Sequence, residues 1–121
     1  MRRNSPTNPV WLLDANIDIR VRQILAEYGV ESQTAESLGW KRLSNGNLVA
    51  AAIGGGFTCL VTRDQLFVQS AGKTLKCFLH FAIVIVNLRQ QRWQAYGDSF
   101  RREWAREEIR PIPGKAVSWP R

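Results

Sequence analysis

The stretch "LVTRDQLF" (Leu60–Phe67) decides how this chain is read. An apolar run ends abruptly in a hydroxyl, a cation and a carboxylate (Thr62, Arg63, Asp64), then turns apolar again at Leu66 and Phe67. Extended backward, the run is "FTCLV" (Phe57–Val61), bounded by "GGG" (Gly54–Gly56). Short continuous apolar runs closed by turn signals read as strands covered on both faces. "VWLLD" (Val10–Asp14) has the same form, again closed by a carboxylate. "FAIVIV" (Phe81–Val86), rich in β-branched residues, is the most strand-like run in the chain.

Between these runs the period changes to that of a helix. Ile17, Val21, Ile24, Leu25 and Tyr28 recur at helical spacing, with Asn16 placed as the cap, Asp18 in the first turn and Gly29 as the stop. A short, weakly apolar strand fits Val30 to Ala35. Ser44 opens a second helix whose buried side is Leu48, Val49, Ala52 and Ile53. Residues 64–77 read as helical. Trp93, Tyr96, Phe100 and Trp104 line one face of a last helix, with arginines on much of the other and Gly97 as a candidate bend. Strands alternating with helices imply right-handed βαβ units. The fold expected is a single three-layer α/β domain with a mostly parallel sheet over residues 10–110. A flexible leader (1–9) would precede it. A basic, proline-containing tail (111–121) without helix or strand would follow.

Composition bounds the function. At 45% apolar and 22% charged residues, the chain has the make-up of a soluble globular domain. Its longest apolar run, "FLHFAIVIV" (Phe78–Val86), is too short to span a bilayer. Cys59 and Cys77 sit in apolar runs without metal-type spacing and read as reduced core residues. A cytoplasmic protein with no membrane partner is expected. The formal charge of +7 is concentrated at the ends: residues 89–121 hold eight basic and four acidic side chains, and Arg2 and Arg3 add to the leader. A basic surface attracts phosphate polyanions, which makes Arg63, Arg101, Arg102 and Arg106 candidate nucleic-acid contacts. A solvated face, with Glu103, Glu107 and Glu108 pairing those arginines, is the plain alternative.

In a parallel sheet, ligands bind beyond the carboxyl ends of the strands, near where the strand order reverses. Asp14 ends the first strand and Asp64 follows the third, so neighbouring strands would set the two carboxylates across one crevice. Helix N-termini open on the same edge and bring Asn16 and "SNGN" (Ser44–Asn47) to it. Facing carboxylates repel unless a proton or a divalent cation relieves them. An all-oxygen site favours Mg²⁺ or Mn²⁺, which activates water toward a phosphodiester. The plainer roles are a helix cap for Asp14, an Asx-turn for Asp64 and a turn hydroxyl for Thr62. His80, the one histidine, reads as a core or boundary residue, so a histidine-based triad has little to build on. "GGG" precedes a strand and is no phosphate loop.

"WLLDAN" (Trp11–Asn16) together with "LVTRDQLF" resembles the paired signature of small prokaryotic PIN-like proteins. The resemblance spans roughly residues 10–88. It implies an endoribonuclease dependent on Mg²⁺ or Mn²⁺, commonly a toxin held by a small antitoxin and often a homodimer. Carried over, Asp14 and Asp64 would hold the metal, with Thr62 and Asn16 beside them as site residues. The sequence departs from that pattern where Ala15, Asn45, Gly46, Asn47 and Leu66 replace usual acids or their neighbours. Those departures leave a second expectation, a PIN-like module that binds RNA or protein without cleaving. A receiver-like reading lacks the acidic pair before Asp14 and the late lysine. The aromatic face of the last helix predicts a partner surface, with Trp104 and Trp119 as its expected members.

Overall fold

A computed structural model of the protein describes residues 10–67, 69 and 79–121. The leader, Cys77 and most of the helix expected over 64–77 lie outside the described residues. Five strands run in chain order as β1 (Val10–Leu13), β2 (Glu31–Thr34), β3 (Cys59–Thr62), β4 (Ala82–Val86) and β5 (Ala116–Trp119). Helices α1 (Val21–Glu27), α2 (Asn45–Gly54) and α3 (Trp93–Arg106) connect them. The sheet is parallel throughout, in the order β2-β1-β3-β4-β5. This is the three-layer α/β architecture expected from the sequence.

The two-residue period of a strand divides the core into two halves. Trp11 and Leu13, Cys59 and Val61, and Ala82, Val84 and Val86 share one half with Ile24 of α1 and Phe100 of α3. Leu12, Leu60, Ile83 and Ile85 share the other half with Leu48, Val49 and Ala52 of α2. Both faces of β1, β3 and β4 are therefore covered, which is why these strands are continuously apolar. Burial also pushes the Cys59 thiol well above its usual range, so it is an inert core group.

Three local expectations change. α1 begins at Val21, after single turns over residues 15–20, because nearby side chains are committed elsewhere. Asn16 reaches across to β3, and the Asp18 carboxylate accepts from the backbone amide of Arg20. Gly29, with φ +80°, ends the helix as expected. The expected tail contains β5, which pairs with β4 in register Ile83↔Ala116 through Val86↔Trp119. His80 is exposed in the turn ahead of β4 and takes no part in the core.

The strand β5 also corrects the expected partner surface. Trp104 and Trp119 are 8% and 3% exposed, covered by their own chain. Trp119 packs on Phe100 (4.8 Å between ring centroids) and Tyr28 stacks on Trp104 (4.7 Å). The Trp119 indole N–H donates to the Glu107 carbonyl at 2.6 Å. These rings fill the gap between α3 and the sheet edge, so Trp104 and Trp119 are not the exposed partner surface expected of them. Among the described residues no helix is long and apolar enough to cross a membrane.

Candidate functional site

The strand order reverses between β1 and β3: the chain moves from β1 outward to β2, then returns to β1's other side. Asp14 and Asp64 follow the two strands that flank this switch point. Backbone pairing carries the alignment past the strand end, with the Asp14 amide donating to the Val61 carbonyl at 2.9 Å.

Thr62, 0% exposed, ties the edge together. Its hydroxyl donates to Asp14 Oδ2 at 2.8 Å and accepts from Asn16 Nδ2 at 3.1 Å. It also accepts from the Asp64 amide at 3.1 Å. Asn16 Oδ1 accepts from the Arg63 amide at 3.0 Å, a second stitch between the same loops. Asp64 Oδ1 accepts from the Leu66 amide at 2.9 Å, and Asn45 Nδ2 donates to Asp64 Oδ2 at 3.4 Å. Asp14 Oδ1 accepts from the Ala15 amide at 2.7 Å. Thr62 and Asp64 thus also play the turn roles open to them, with a two-residue side-chain turn at each. Asp14 and Asn16 cap no helix, since α1 starts later.

One substitution probes this hub directly. Thr62→Val keeps the shape but strands Asp14 Oδ2, Asn16 Nδ2 and the Asp64 amide. A loss of about 1 kcal/mol of stability is expected in urea denaturation, the net worth of a hydrogen-bonding hydroxyl whose partners are half-buried or exposed and can turn to water. Thr62→Ser should restore most of it. Equal stability of the Val and Ser variants would mean that the hydroxyl holds nothing.

The donor set fits a hydrated magnesium-type cation. It is all oxygen and offers two carboxylates, the number such ions take alongside water and substrate phosphate. Each carboxylate oxygen accepts one hydrogen bond and has a further lone pair. Among the described residues no group of three or more His, Cys, Asp and Glu side chains gathers as a metal cluster.

The basic residues sort differently from expectation. Arg101 pairs with Glu27 at 2.9 Å and Arg106 with Glu103 at 2.7 Å, while Arg102 donates to Ser99 Oγ at 3.1 Å. Two of these three arginines are thus ion-paired, one of them to α1, while Arg102 meets only a neutral hydroxyl. In the loops that follow β2, β3 and β4, Arg42, Arg63, Arg89 and Arg92 have no ion pair among the described residues. That excess lies on the same edge as Asp14 and Asp64. Sequence reasoning named Arg63 of these four and covered Arg89 and Arg92 only within the charge excess of residues 89–121, because charge counting along the chain does not show which cations find acids in space. It brought Asn45 to this edge within "SNGN" without naming it as the partner of Asp64. Compared with known proteins, the chain matches no family model, no curated protein and no solved structure.

Proposed function

We propose that the protein is a PIN-like ribonuclease that holds RNA along the carboxyl edge of its sheet. Asp14 and Asp64 would hold Mg²⁺ or Mn²⁺. The supporting observation is the Thr62 hydroxyl, which bonds Asp14 Oδ2 at 2.8 Å and the Asp64 amide at 3.1 Å at the switch point. Bound there, the cation supplies a Lewis acid and an activated water. The chain's own part is to fix the carboxylates through Thr62 and Asn16. Arg42, Arg63, Arg89 and Arg92 attract the phosphates. A small antitoxin is the partner implied by the PIN-like resemblance, and a homodimer has lost its aromatic argument.

A second reading is an RNA-binding module that no longer cleaves. It is favoured by Asn45, whose neutral amide stands 3.4 Å from Asp64 Oδ2 where a further acid would strengthen cation binding. Metal removal separates the two. The purified protein is incubated with a panel of structured RNAs and Mn²⁺, then with excess chelator, then with Mn²⁺ restored. Cleavage that stops with chelator and returns with metal is expected. Salt-sensitive RNA retention without cleavage in Mn²⁺ would establish the binding module instead.

A further inference from the structure

Beside the carboxylates, on the other side of Asn16, lies a separate small cavity of about 40 Å³. Its walls include Asn16, Asp18, Arg63, Gln91, Trp93 and Tyr96, and they are mostly polar. Two of its wall groups are buried without a hydrogen-bond partner among the described residues: Arg63 Nε and the Tyr96 hydroxyl. Tyr96 is only 5% exposed. Buried polar groups are almost always paired, because an unpaired one has lost its hydration with nothing in return. A cation and a hydroxyl left unpaired on one cavity therefore point to a ligand.

The electrostatics select an anion. Arg63 is a permanent cation, and burial holds the Tyr96 hydroxyl above its usual pKa, so it remains a donor at neutral pH. α3 starts here, and its N-cap residue Arg92 provides no side-chain cap to the free amides of the first turn. The one acid on the wall, Asp18, is already clamped by the Arg20 guanidinium through bonds of 3.0 and 2.8 Å. That hydrogen bond holds the Asp18 carboxyl below its ordinary range. Arg20 itself lies over the Trp93 ring at 4.7 Å, which fixes the clamp on the cavity wall. The volume suits about three waters or one tetrahedral oxyanion, and gives no room for a strand to pass through.

We propose that this cavity is a phosphate-monoester subsite, which seats the terminal phosphate of an RNA strand on Arg63 Nε and the Tyr96 hydroxyl. The proposal rests on the ribonuclease reading for the identity of the strand, but its chemistry is independent of cleavage. It makes the protein a reader of RNA ends, with the neighbouring backbone led past Asn16 to Asp14 and Asp64.

The test uses the full chain and the quenching of tryptophan fluorescence, which Trp93 makes sensitive to occupancy. Inorganic phosphate is titrated at constant ionic strength, followed by one short RNA carrying a 5′-phosphate, a 3′-phosphate or neither. Saturable binding of one phosphate per chain is expected. Arg63→Gln should weaken it at least tenfold and Tyr96→Phe about threefold or more. One phosphorylated RNA should bind at least tenfold tighter than its unphosphorylated form, and that gain should vanish in Arg63→Gln and shrink about threefold or more in Tyr96→Phe. A cavity that takes free phosphate but gives neither phosphorylated RNA an advantage would overturn the strand assignment. Phosphate binding that is absent, or unchanged in both variants, would overturn the subsite. If phosphate binds as expected while no RNA is cleaved, the ribonuclease reading falls and the subsite stands.

Discussion

Asp14→Asn is expected to lower metal-dependent RNA cleavage by about 10²–10³-fold while leaving the fold intact. A cation that neutralises developing charge contributes several kcal/mol, and each 1.4 kcal/mol is about tenfold in rate. Removing one of only two carboxylates should forfeit most of that. The fold should survive because Asn can re-satisfy the local bonds. Its oxygen can accept from the Ala15 amide in place of Asp14 Oδ1. Thr62 Oγ1, whose lone pairs already accept from Asn16 and the Asp64 amide, can turn its proton to Asn16 Oδ1 at 3.5 Å. The new amino group can face water from this half-buried position. Cleavage rate and circular dichroism measured on parent and variant, with RNA binding alongside, decide the matter. A variant that cuts as fast as the parent would place the nuclease activity elsewhere than on this edge.

Trp119→Ala is expected to destabilise the domain by about 3–5 kcal/mol, the usual range for emptying a buried aromatic site. Trp119 is 3% exposed, touches both Phe100 and Trp104, and anchors β5 through its bond to the Glu107 carbonyl. Its loss leaves a cavity under α3 and weakens the outermost strand together. Trp119→Phe should recover part of the packing but not the hydrogen bond, and so fall between. Urea unfolding followed by far-UV circular dichroism measures both. A loss under about 1 kcal/mol would show that β5 contributes little to the fold, since even a modest core truncation costs that much.

The central strands were readable because each is covered on both faces and is therefore apolar at every position. Gly29 and the Ser44 cap marked helix ends by chemistry local to a few residues. Other features depended on contacts distant in sequence. Asn16 has the chemistry of a cap, yet its amide is spent on Thr62 and Arg63, 46 and 47 residues away, so α1 starts later. β5 is short, lies at a sheet edge and is flanked by prolines; only its register with β4 and the burial of Trp119 define it. That Asp14 and Asp64 each follow a strand flanking the switch point was legible from their matching positions after two apolar runs. The phosphate cavity was not, because helical spacing reads Tyr96 as an apolar face residue and conceals where its hydroxyl ends.

The parallel course of β5 makes the two ends of the described domain unequal for attachment. Val10 enters the sheet at the edge away from Asp14 and Asp64, whereas β5 leaves through Pro120 and Arg121 at the edge that holds them. A bulky fusion joined after Arg121 would crowd the loops around the carboxylates, and one joined ahead of Val10 would stand clear of them. Immobilisation by the leading end would therefore present the carboxyl edge to solution.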